Sequence, residues 1–137
     1  MFFPRIMLTL FNGEHDSQLG ERAIFHLLDA LTLIDMDYLS KYRKTPSLYA
    51  SGVRYERQKG EQEDWHDIPT AIAVGKTDCK VLAAWRCAEL RLAGVDARPY
   101  LLRQMLPDGK YLYHVQVQWP DGRIEDPSKI LGMTNMF

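Results

Sequence analysis

The sequence predicts an α+β domain in which helices pack on one antiparallel sheet, and three patterns lead there. Apolar residues recur at spacings of three and four over 19–38, the mark of an amphipathic helix. A second helical pattern, rich in Ala, Leu and Arg, covers 79–93. Behind it, two Pro-Asp-Gly turns cut the chain into short strands of alternating polarity. At 137 residues, 46% of them apolar and 26% charged, the chain has the size of one domain spanning 1–137, able to bury roughly two thirds of its unfolded surface.

In chain order, residues 6–11 are apolar enough for a strand, with Asn12-Gly13 as the turn after it. Asp16 or Ser17 supplies the cap of the first helix. Its stripe of Leu19, Ala23, Ile24, Leu27, Leu28, Leu31, Ile34 and Tyr38 is expected to face the core before Thr45-Pro46 ends the run. Val53 and Tyr55 alternate with Arg54 and Glu56 as a short strand, and the polar stretch 58–64 reads as an exposed loop. Asp78 has the chemistry of an N-cap for the second helix, so Cys79 stands on its first turn, and Gly94 is placed to stop it. Strands at 97–106, 110–119 and 123–126 follow, joined by Pro107-Asp108-Gly109 and Pro120-Asp121-Gly122. In the middle strand Tyr113, Val115, Val117 and Trp119 share one face, and His114, Gln116 and Gln118 the other.

With 17 basic and 18 acidic side chains the net charge is −1. No block of like charge breaks the mixture, which argues against nucleic acid or an anionic membrane surface as a partner. No apolar run approaches the roughly 18 residues needed to cross a bilayer, and the opening MFFPRIMLTLF lacks a basic n-region and a small-residue cleavage site. A cytoplasmic protein is therefore expected. Cys79 and Cys87 lie roughly two turns apart on one helix, beyond disulfide reach, and are expected as separate thiols. Without a CxxC pair, and with only four histidines, the zinc-finger spacings are absent as well.

The residues that can carry chemistry are Cys79, His114 and Asp126. A nucleophilic cysteine acts as the thiolate, and the unpaired N–H groups at a helix N-terminus favour that anion; Cys79 has this position and Cys87 does not. An imidazole must stabilise the thiolate and then protonate the leaving group, and it needs an acceptor that fixes its tautomer. A short loop around Pro120-Asp121-Gly122 sets Asp126 opposite His114 or within about two residues of it. Each residue also has a plainer reading: Cys79 as a small core side chain, His114 on a solvated face beside Gln116 and Gln118, Asp126 as the start of a turn before Pro127. His15 and His26 belong to no recognisable pattern, and His66, between Trp65 and Asp67, is open to either role.

The segment TDCKVLAAWRCAELRLAG, followed by the histidine of YHVQVQWPDG and the aspartate of IEDPSKILGM, resembles the transglutaminase-like branch of the papain-type cysteine enzymes. The likeness spans 49–133 and is similar to small single-domain members found in bacteriophage and prophage genomes. It implies a transglutaminase-like fold in which the helix-borne Cys79 packs on an antiparallel sheet, with His114 and Asp126 on neighbouring strands completing a catalytic triad. Asp78 would support the nucleophile as helix N-cap. Trp65 would line the site or assist at the oxyanion through its indole N–H, its alternative being a core aromatic. The family's Gly-Asp-Cys reads Thr77-Asp78-Cys79 here.

The implied activity is cofactor-free acyl transfer on an amide or peptide bond of a peptide or protein substrate. Hydrolysis, as a protease or amidase, is expected ahead of cross-linking. A phage-encoded protein would reside in the host cytoplasm or the virion. The competing class is a non-catalytic phage structural or assembly protein that keeps the fold and docks on phage structural proteins, with the apolar tail 133–137 as a contact. A metal site built from Cys79, His114, Asp126 and His66 is a third alternative, disfavoured by the lack of any close-spaced ligand pair.

Overall fold

The computed structural model describes residues 18–57, 64–109 and 111–134. The expected strand at 6–11, the Asn12-Gly13 turn, the Asp16 or Ser17 cap, His15, most of the polar stretch 58–64 and residues 135–137 lie outside the described residues. The architecture is α+β, a small helix bundle against an antiparallel sheet.

Helix α1 runs Gln18–Lys41. Its buried side chains are Leu28, Leu31, Thr32 and Asp35, whereas Leu19 and Ile34 from the expected stripe are exposed. The core face is therefore turned by part of a helical quadrant from the apolar stripe, at about 100° per residue. Thr32 Oγ1 donates to Leu28 O at 2.8 Å and Asp35 Oδ1 accepts from Ile68 N at 3.2 Å, while Asp35 Oδ2 is buried without a hydrogen-bond partner among the described residues. After a 3-10 turn at Leu48–Ala50, strand β1 (Arg54–Tyr55) pairs in parallel with β2 (Lys76–Thr77), aligning Tyr55 with Thr77.

Between them lies α2, Ile68–Val74, which the sequence reading did not anticipate. Asp67 caps it by accepting from Thr70 N at 3.1 Å, and Gly75 closes it at φ 84°, a left-handed conformation that only glycine adopts cheaply. Two residues of β2 then lead straight into α3, Cys79–Leu92. This helix is buried nearly all round, Val81 to Ala84, Trp85, Cys87 and Ala88 included, as befits a helix enclosed by other elements. One core cluster joins its Leu82 and Trp85 to Leu31, Leu48 and Ile68; the other joins Ala83 and Cys87 to Leu28, Val115 and Val117.

The sheet has strand order β3-β4-β5, all antiparallel, with β3 at Arg98–Met105, β4 at Tyr111–Gln118 and β5 at Ile124–Glu125. Helix α4, Pro127–Ile130, follows at once with Asp126 as its N-cap, so the expected third strand ends one residue early and Asp126 opens a helix. Leu131 and Met133 are buried, and Met133 N donates to Ser128 O at 2.8 Å. Of the 133–137 tail, Met133 thus packs inward on its own domain and Thr134 is exposed. Among the described residues no helix is long and apolar enough to cross a membrane.

Candidate active site

The strand register decides where Asp126 falls. Val117 pairs with Glu125, so one step further along β5 sets Asp126 beside Gln116 and diagonal to His114, on the face opposite Val115 and Val117. His114 Nε2 and Asp126 Oδ2 are 2.8 Å apart, and Gln116 Nε2 donates to the same oxygen at 3.0 Å. The other carboxylate oxygen accepts from Lys129 N at 3.2 Å, which caps α4. Burial pushes the Asp126 carboxyl up, but the hydrogen bonds from His114, Gln116 and Lys129 N outweigh it and hold the group below its ordinary value. An ionised carboxylate only accepts, so Nε2 of His114 carries the hydrogen and Nδ1 is the basic nitrogen.

His114 is 2% exposed. The solvated-face alternative for it is overturned: its side chain is buried and its Nε2 meets the Asp126 carboxylate. Gln116 was legible only as a neighbour on that face; its spacing of two from His114 is the signal that it touches the same oxygen.

Cys79 is the first residue of α3 and is half-buried. It packs against the core cluster that joins Ala83 and Cys87 of α3 to Leu28, Val115 and Val117. The α3 N-terminus and Asp126 also share a neighbour in Tyr55. Burial raises the Tyr55 hydroxyl, and Cys79, Asp78 and Asp126 raise it further against the lowering by Arg57. Cys87 is fully buried, and desolvation pushes its thiol up to about 12, the behaviour of an inert core residue.

The role expected of Asp78 needs correction. It occupies the N-cap position, with extended backbone at φ −98° and its carbonyl accepting from Leu82 N at 3.1 Å, but its side chain makes no capping hydrogen bond. Its carboxylate pairs instead with Lys80 Nζ, in a contact whose side chains are only 12% and 7% exposed. A buried ammonium must find a counter-charge, and that demand exceeds the ~1 kcal/mol of a side-chain cap. The same ammonium stands 5.4 Å over the ring of Trp65. Trp65 is half-buried and packs against both core clusters, including the one Cys79 touches, which places it beside the α3 start. Thr77, where the family pattern has glycine, is 3% exposed, buried in the β1–β2 pair. His66 is half-buried, its Nδ1 without a hydrogen-bond partner among the described residues.

Among the described residues no group of three or more His, Cys, Asp and Glu side chains is arranged to hold a metal ion. No known protein family, curated protein or solved structure matches the chain. What the geometry offers chemically is a buried, oriented Asp–His pair on the sheet and a thiol on the first turn of the helix that packs against it.

Proposed function

We propose that this protein is a transglutaminase-like cysteine enzyme that cleaves an amide or peptide bond through Cys79, His114 and Asp126. The observation that carries the reading is the buried 2.8 Å contact between His114 and Asp126, on β4 and at the end of β5; a cysteine opens α3, the helix packed on the same small sheet.

In this mechanism the Cys79 thiolate attacks the carbonyl carbon of a carboxamide or peptide. The oxyanion formed is held by the backbone N–H of Cys79 and by the indole N–H of Trp65. As the C–N bond breaks, His114 gives the Nδ1 proton to the departing amine, leaving a thioester on Cys79. Water then attacks the thioester carbon, with His114 taking its proton, and the carboxylic acid and thiolate are released. Asp126 fixes the ring and its tautomer throughout. An amine in place of water would give transamidation.

Unfolded casein, incubated with the protein, tests the reading in three parallel assays: peptide-bond cleavage, ammonia release and incorporation of a fluorescent primary amine. Wild type should be active in at least one, and the responding assay identifies the reaction. Cys79→Ala should be inactive in all while keeping its fold, since alanine suits a helix start. Equal activity of Cys79→Ala would overturn the proposal.

A further inference from the structure

We propose that Glu125 is a positioning residue, anchored to α3 through Arg86 so that its neighbour Asp126 meets His114. The inference rests on the reading of His114 and Asp126 as working parts of a site, and it concerns residues on the other face of the sheet.

Asp126 sits at a weak place in the fold. Strand β5 has only two paired residues and α4 only four, too little for either to hold its place alone. Because side chains alternate along a strand, Glu125 points away from His114, toward the side of Val117 and α3. There its carboxylate gathers donors from three separate elements. Arg86 Nε of α3 donates at 2.6 Å, Trp119 Nε1 beyond β4 at 3.2 Å, and the Tyr49 hydroxyl of the 3-10 turn donates as well.

Arg86 is in turn tied to the helix it grows from. Its Nη1 meets Glu89 Oε1 at 3.2 Å, and Glu89 Oε2 accepts from Leu48 N at 2.8 Å, which fastens the turn that carries Tyr49. The guanidinium lies 5.2 Å over the Tyr49 ring. The side chains of Arg86, Glu89 and Glu125 are 22%, 14% and 16% exposed, so this is a largely desolvated network in which loss of one partner is felt by the rest, unlike a solvent-screened surface pair. Glu125 is held below the usual carboxylate range because these donors outweigh its burial. The fold thus fixes one residue of the β5–α4 junction to the body of α3 through Arg86, and the next beside His114 on the other face of the sheet. Displacing the first shifts the second.

A merely structural role predicts lost stability; positioning predicts a loosened His114–Asp126 bond in a protein that still folds. The experiment is NMR on the full chain with 15N-labelled histidine, following the Nε2–H signal of His114 and its exchange with solvent, assigned with His114→Gln. Asp126→Ala should abolish the protected signal. Glu125→Ala should speed its exchange by about tenfold or more, Glu125→Gln should restore most of the protection by keeping an acceptor oxygen, and the double variant should match Asp126→Ala. If Glu125→Ala does not fold, Tyr49→Phe and Trp119→Phe each remove one donor and should each accelerate exchange.

Unchanged exchange in folded Glu125→Ala, or in both Tyr49→Phe and Trp119→Phe, overturns the inference. The signal reports on His114 and Asp126 without reference to Cys79. A failed catalytic reading would therefore show as casein activity indifferent to Cys79→Ala while Glu125 still controlled the His114 signal.

Discussion

Replacing Asp126 by asparagine separates what the side chain does by shape from what it does by charge. The carboxylate accepts from His114 at 2.8 Å and Gln116 at 3.0 Å on one oxygen, and from Lys129 N at 3.2 Å on the other. An amide keeps the volume but has one oxygen. Either the α4 cap faces an NH2 group, two donors against each other, or the NH2 group turns to His114, which can accept it by moving its hydrogen to Nδ1, and to Gln116 Nε2, which cannot. A buried donor without an acceptor costs about 1–3 kcal/mol, so Asp126→Asn should lower the unfolding free energy at neutral pH by ~2 kcal/mol. Asp126→Ala should lower it by ~1 kcal/mol more, because the cap is lost as well. The deficit also has a pH signature. The folded Asp126 carboxyl lies below its ordinary 3.8, so its contribution is present above that value and is lost as pH falls through the lower folded one. The gap between wild type and Asp126→Asn should therefore close on acidification. Urea unfolding followed by tryptophan fluorescence, from neutral pH down to about 3, reads both effects. Equal stabilities at neutral pH, or a gap that widens as acid is added, would refute the reasoning.

The fully buried Asp35 should behave in the opposite sense. Burial, with the Asp67 charge adding to it, raises its carboxyl well above the ordinary 3.8 against the opposing Ile68 N–H, so its contribution is full below that value and is lost as pH rises through the folded one. Asp35→Asn should thus stabilise the protein by an amount that grows with pH, checked by thermal melts across the pH range, and a constant or shrinking gain would count against it. Cys87, with its thiol pushed up to about 12, should resist alkylation in the native protein and react once urea unfolds it, while Cys87→Ala should cost ~1 kcal/mol for the small volume lost.

How much could be read in advance depended on how local the determinants are. Helix α3 and the β3–β5 meander were legible because their boundaries are set by nearby residues: Gly94 stops the helix at φ 91°, and Gly109 and Gly122 take φ 83° and 90° in the turns. The His114–Asp126 pair followed from the same turn, since a short loop fixes the register. What escaped notice is set by tertiary partners. Strand β2 exists only because β1, distant in sequence, pairs with it. The α1 core face includes Asp35, whose burial depends on the N–H of Ile68. Asp78 has an N-cap's chemistry but spends it on Lys80, a buried lysine that the helical pattern gave no reason to expect. Helix α2 is a different case: Asp67, a proline in its first turn and Gly75 were all visible signals, but seven residues are too few to draw an apolar period.

Cys79, His114 and Asp126 are proposed to act as one unit. Limiting iodoacetamide across a pH series, with each cysteine quantified by mass spectrometry in wild type and His114→Ala, tests it most directly. Cys79 should be labelled first, with an inflection below the ordinary thiol value of about 8.5, and should return toward that value in folded His114→Ala. Identical profiles in the two folded proteins, or labelling of Cys87 ahead of Cys79, would contradict it.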